Sequence, residues 1–194
     1  MPSTKKRRAT RRDVKHQVLF VQGGGRNVHD SWDNRLVASL EKELGGGYTI
    51  RYPRMPNEAD PDPTAWKRAI GREIKRLSDG VLLVGHSIGA AILLDYVADG
   101  NLERGPSGVF LIAPPFIGNG GWPSDDLRPS KELARLLPAR TPLYLYQGRD
   151  DETVPFSHVG MFAKALPRAK IRRLQGRDHQ LNDDLSEVAR DIRS

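Results

Sequence analysis

Val81-Leu82-Leu83-Val84-Gly85-His86-Ser87-Ile88-Gly89 is the stretch whose reading decides the fold. Four consecutive apolar residues, two of them β-branched, form a run too short for a helix and read as a buried strand. Residues 88–99 are mostly small or apolar, as a helix buried against a sheet should be. Between the two lies Gly-His-Ser-Ile-Gly. A G-x-S-x-G string arises by chance often enough to mean little alone. Its weight comes from context, because a sharp strand-to-helix turn lifts the serine hydroxyl above the sheet edge. The flanking positions must then be glycine or very small, since the backbone is crowded on both sides.

The same alternation extends in both directions. Short runs rich in β-branched and aromatic residues occur at 16–22, 48–52, 80–85, 108–113, 141–147 and 169–174. Helix-period stretches lie between most of them. Residues 31–44 place Trp32, Leu36, Leu40 and Leu44 on one face, and Gly45–Gly47 end that helix. Residues 64–78 do the same with Trp66, Ile70, Ile74 and Leu77. Residues 156–166 and 181–193 read as two further helices. The segment 114–140 is irregular, with five prolines and one short helix candidate near 130–137. Strand–helix alternation of this kind predicts an α/β fold, an approximately six-stranded parallel sheet flanked by helices on both faces. A chain of 194 residues suits one domain, read here as 16–194 behind a tail at 1–15.

The formal net charge of +7 suggests a polyanion partner until it is mapped. Residues 1–15 hold seven bases and one acid, so the remainder of the chain is close to neutral. The tail lacks apolar periodicity and reads as disordered and solvated. Binding of nucleic acid or another polyanion is expected through residues 1–15 if anywhere. The apolar run Val18–Val21 is far too short for a signal-peptide core, and no membrane span is expected. The chain has no cysteine, which excludes disulfides, thiolate metal sites and a cysteine nucleophile. That usage fits a reducing compartment, and a cytoplasmic location is expected.

A serine hydroxyl needs a base, and the base needs an orienting acid. In this architecture the chain order is serine, acid, histidine. His158 and His179 follow Ser87. His179 lies on a loop just past the last strand, whereas His158 falls inside a helix and reads as a surface residue. His86, the variable position of the elbow, reads as packing beneath it. Asp150, Asp151 and Glu152 follow the strand at 141–147 directly. The spacing to Val154-Pro155 selects Asp151, with Asp150 as runner-up. An oxyanion hole requires two aimed N–H groups. Ile88 offers one, and the Gly23-Gly24-Gly25 loop after the first strand offers the other, from Gly24 or Gly25. A dinucleotide site is not indicated there, because the glycines are contiguous and Val28 stands at the last position of G-x-G-x-x-G.

Together these residues resemble the α/β-hydrolase superfamily. More narrowly, they are similar to the small serine hydrolases related to retinoblastoma-binding protein 9 and the bacterial YdeN-type proteins. Besides the elbow, the resemblance is carried by Tyr52-Pro53-Arg54-Met55-Pro56-Asn57 with Trp66, by Leu111-Ile112-Ala113-Pro114-Pro115, and by Val154-Pro155-Phe156-Ser157-His158. It covers about residues 16–192. It implies Ser87 as nucleophile, Asp151 as acid, His179 as base, no large lid domain, and no metal or organic cofactor. Gln22 stands where many hydrolases carry a histidine before the glycines, and the basic tail is a second departure. The expected reaction is hydrolysis of a small ester, less readily an amide, through an acyl-enzyme. Pocket walls are expected from the loops after the first and fourth strands, with Trp32, Phe116 and Trp122 as candidate lining residues, although plain core packing accounts for each aromatic at least equally well. The short 114–140 connection suggests a shallow pocket for small acyl groups. Two other readings compete: a protein-interaction module on the same fold with little turnover, and nucleic-acid binding through the tail.

Overall fold

The computed structural model describes residues 15–100, 102 and 105–194. The tail expected at 1–15 lies, apart from Lys15, outside the described residues. Six strands form one parallel sheet: β1 (His16–Val21), β2 (Tyr48–Arg51), β3 (Leu82–His86), β4 (Gly108–Ile112), β5 (Leu143–Gly148) and β6 (Lys170–Leu174). Their order is β2-β1-β3-β4-β5-β6. Leu19 pairs with Leu83, Leu83 with Val109, and Val109 with Leu143, so the apolar runs lie side by side across the centre.

Helices cover both faces, as the alternation predicts. On one face α2 (Pro63–Ile74), α3 (Ser87–Ala98) and α4 (Ser157–Ala165) pack on Leu19, Leu83, Leu111 and Leu145. On the other, α1 (Asn34–Leu44) and α5 (Ser186–Ile192) cover Phe20, Val84, Phe110 and Tyr146. Helix α3 is almost entirely buried, which explains its lack of a polar face. Helix α2 has Asp62 as N-cap, its side chain accepting from Thr64 N at 2.9 Å, with Pro63 in the first turn.

Three helix boundaries differ from the sequence reading. Residues 29–33 form a single wide π turn before α1, so Trp32 leaves the apolar stripe and is 50% exposed, while Asp33 turns inward. Helix α2 stops at Ile74 rather than near 78. Residues 181–183 do not open α5: Leu181, Asn182 and Asp183 all take φ of 51–56°. That left-handed turn delays α5 to Ser186. In the irregular segment the helix candidate near 130–137 is a short 3₁₀ stretch, Ser130–Arg135.

The chain runs from β1 outward to β2, then returns to place β3 on the other side of β1. The strand order therefore reverses between β1 and β3. A crevice opens at the carboxyl ends of the strands at such a reversal. Here those ends carry Gln22-Gly23-Gly24 and His86-Ser87.

Candidate functional site

Ser87 stands at the junction of β3 and α3 with φ of 54°. A non-glycine residue in that region costs roughly 1–3 kcal/mol and persists when its surroundings impose it. They do so here by close packing. A Cβ on Gly85 would lie 2.8 Å from Cα of Ala90, and one on Gly89 would run into the carbonyl of Gln22. Both glycines are thus required by contact. The N–H of Ile88 lies in the first turn of α3, where no intrahelical acceptor is available.

Asp151 is buried beyond β5. Its Oδ1 accepts from Thr153 N and Val154 N, each at 2.8 Å. Its Oδ2 accepts from Gln147 Nε2 at 2.7 Å and lies 2.8 Å from His179 Nδ1. Burial opposes ionisation, yet the bonds and charge of His179 and the two backbone N–H groups hold the carboxyl below the usual carboxylate range. Asp150, the alternative, is exposed. With His179 Nδ1 turned to Asp151, Nε2 is left for the cleft.

Ser87 and His179 line one cleft of about 580 Å³ with Gly23, Gly24, Trp32 and Asp150. Its walls come from the loops after β1, β5 and β6. The loop after β4, expected to contribute, packs inward instead. Phe116 is 5% exposed and meets Phe162 edge-on. Trp122 stands edge-on to His158, and its backbone N–H donates to the Phe116 carbonyl at 2.8 Å. Neither is among the lining residues of the cleft, whereas Trp32 is. His158 corrects the surface reading: it is 3% exposed, and its Nδ1 accepts from Phe116 N at 2.9 Å. This histidine fixes the loop that carries the two aromatics into the core.

The glycine loop is held by its own hydrogen bonds. Gly23 N donates to Asp33 Oδ2 at 2.6 Å, and Gly25 N donates to the Glu58 carbonyl at 2.6 Å. Among the described residues no group takes the Gly24 N–H. A Cβ on Gly24 would lie 2.9 Å from Cγ2 of Ile88, so the two candidate donor residues are neighbours. Gln22 acts as a strut: its Nε2 donates to Glu58 Oε2 at 2.6 Å, and its Oε1 accepts from Met55 N at 3.0 Å. Those bonds tie the loop to the 52–58 segment, which Trp66 Nε1 anchors from below at the Pro56 carbonyl. Sequence reasoning passed over Asp33, Gln147 and Glu58. Asp33 falls off the apolar face that Trp32, Leu36, Leu40 and Leu44 define, and nothing in the local sequence distinguishes it from Asp30.

Comparison with known proteins places the fold. Residues 18–192 match the sequence family described as the alpha/beta hydrolase family. The ydeN gene product of B. subtilis superposes with a TM-score of 0.72 at 20% identity, over 92% of this chain and 97% of that one. A YdeN-like hydrolase from Pectobacterium atrosepticum gives 0.62 at 20%, over 91% and 92%. A serine hydrolase without lid from Xanthomonas campestris gives 0.63 at 21%, over 93% and 80%. No curated protein matches the chain.

Proposed function

The chain belongs to the alpha/beta hydrolase family, and from that premise we propose that it is a serine hydrolase that cleaves small carboxylic esters through an acyl-enzyme. The observation that carries the reading is the 2.8 Å contact of His179 Nδ1 with Asp151 Oδ2, on the cleft that also contains Ser87.

His179 Nε2 takes the proton from Ser87 Oγ as the oxygen attacks the ester carbonyl. Asp151 holds the imidazole in the tautomer with hydrogen on Nδ1 and stabilises the imidazolium that forms. The negative charge on the tetrahedral oxygen is met by the N–H groups of Ile88 and Gly24, with the N-terminus of α3 behind them. Gly25 is set aside for this role because its N–H is bonded to Glu58. His179 then returns the proton to the leaving alkoxide. Water, deprotonated by the same base, attacks the acyl-serine and restores Ser87. The open cleft, walled by short loops, suits small acyl groups.

Labelling with a fluorophosphonate probe tests the reading. The wild type is expected to label and Ser87→Ala to remain unlabelled. An unlabelled wild type would overturn it. Faster turnover of long-chain than short-chain p-nitrophenyl esters would reject the small-acyl assignment alone.

A further inference from the structure

A second carboxylate–imidazole pair lies directly beneath the elbow, outside the Ser87–His179–Asp151 set. Asp33 is fully buried and His86 is 1% exposed. His86 Nδ1 is 3.0 Å from Asp33 Oδ2, and its Nε2 is 3.1 Å from the backbone carbonyl of His179. The rings of His86 and His179 stand 4.8 Å apart between centroids. Asp33 Oδ2 also receives the Gly23 N–H.

The acceptors fix the proton count. A carbonyl oxygen only accepts, so Nε2 of His86 must carry hydrogen. Nδ1 then faces a carboxylate. A bare Nδ1 would set lone pair against lone pair at hydrogen-bond distance in the protein interior, so a second proton lies between Nδ1 and Oδ2. The Gly23 N–H donated to Asp33 Oδ2 favours the ionised carboxylate, so the pair is an imidazolium held by a carboxylate and carries no net charge. The shifts agree in direction. Burial disfavours both charges, but each partner outweighs it, keeping Asp33 low and His86 high. Other groups facing the pair are Gln180, which adds to the stabilisation of Asp33, Asp151, whose charge favours protonated His86, Tyr52, whose phenol is held neutral by burial and the Asp33 charge, and the His179 ring.

We propose that Asp33 and His86 are positioning residues that couple the two halves of the active site. Asp33 holds the glycine loop through Gly23, next to the Gly24 N–H. His86 holds the backbone of His179 from below. One buried neutral unit thereby sets the distance between the oxyanion donor and the base. This inference rests on the serine-hydrolase reading, and the π turn at 29–33 gains a purpose from it, since that turn aims Asp33 inward.

The test uses the full chain, labelled with ¹⁵N-histidine, with p-nitrophenyl acetate as substrate. Between about pH 7 and 8, where an unperturbed histidine is neutral, the His86 ring of the wild type is expected to carry hydrogen on both nitrogens. Asp33→Ala is expected to lose about 10²-fold in kcat with little change in KM, the scale of a small misplacement of reacting groups. His86 Nδ1 is also 3.0 Å from Asp33 Oδ1, so the amide of Asp33→Asn still accepts from Gly23 with its oxygen and can donate to Nδ1 with its nitrogen. It is expected to restore most of kcat while converting His86 to a neutral ring. A neutral His86 in the wild type overturns the proposal. So does a folded Asp33→Ala with unchanged kcat, or an Asp33→Asn whose His86 ring keeps both hydrogens. If Asp33→Ala does not fold, the ring states of the wild type and Asp33→Asn decide. A wild type that neither labels with fluorophosphonate nor turns over defeats the hydrolase reading and the positioning role with it. An active wild type with neutral His86 defeats the positioning role alone.

Discussion

Gly89 lies so close to the carbonyl of Gln22 that the first turn of α3 and the end of β1 admit no side-chain atom between them. That contact brings Ile88 and the glycine loop into one site. Gly89→Ala is expected to destabilise the fold by about 1–3 kcal/mol or more through overpacking. The contrast is Gly46→Ala, where a Cβ meets nothing within 4 Å and φ is not left-handed. There a change within roughly 0.5–1 kcal/mol is expected, tending to stabilise. Urea unfolding of both variants checks the pair.

Asp151 and Asp150 are adjacent in the chain but not equivalent. Asp151 receives three side-chain and backbone donors besides facing His179, whereas Asp150 is exposed. Asp151→Asn is expected to lower kcat by about 10⁴-fold, because the amide favours the wrong imidazole tautomer. Asp150→Asn is expected to leave kcat close to wild type. Steady-state hydrolysis of p-nitrophenyl acetate separates them.

The sheet, its parallel sense and the position of Ser87 were legible because each depends on short-range pattern. Four apolar residues before a Gly-x-Ser-x-Gly turn mean the same thing wherever the rest of the chain goes. What was not legible depends on long-range burial. His158 has helical neighbours that could face water, and its buried bond to Phe116 spans 42 residues. Asp33 meets His86 across 53 residues. The apolar spacing of 32, 36, 40 and 44 predicts a buried Trp32, but the π turn rotates that residue out of register. Phe116 and Trp122 look like pocket aromatics until His158 is seen to hold their loop in the core.

Trp32 is half exposed on the cleft, with the Arg35 guanidinium 5.6 Å from its ring centroid. Trp32→Ala is expected to raise KM for aromatic esters while leaving stability within about 0.5 kcal/mol, as for an exposed site away from the core. Kinetics on phenyl and methyl esters of one acid, together with a melting curve, would show both effects. An unchanged KM for the phenyl ester would remove Trp32 from the binding surface.

His179 sits inside a clip closed by its neighbours. Asp178 N donates to Asn182 Oδ1 at 3.0 Å, and Asn182 N donates to Asp178 Oδ1 at 2.8 Å. Asn182 Nδ2 also donates to the Gly176 carbonyl at 2.9 Å. Asparagine adopts the left-handed backbone this turn needs at less cost than alanine. Asn182→Ala is therefore expected to cost about 1–3 kcal/mol, from strain and lost bonds. It should also lower kcat more than it raises KM, because His179, the proposed base, is held by the same loop. Thermal melts and kinetics on one preparation test whether the two effects travel together.

His158 gives the fold a signed pH dependence. Burial holds its imidazole below the ordinary histidine range, with the Asp151 charge opposing. The unfolded chain therefore binds more protons than the folded one below about pH 6.5. The stability His158 contributes is complete above that pH and is lost as pH falls toward its folded value. His86 acts in the opposite sense. Burial disfavours its charge, but Asp33 raises its pKa, so its contribution is complete below about pH 6.5 and fades as pH rises through the folded value. The wild-type curve sums the two and can look flat. The variant His158→Asn keeps an acceptor for Phe116 N but has no imidazole to titrate. The difference in unfolding free energy, wild type minus His158→Asn, is expected to grow from pH 5 to pH 7 and then level off. A difference independent of pH would mean that His158 binds its proton equally in both states, and that its buried bond to Phe116 N does not keep the ring neutral.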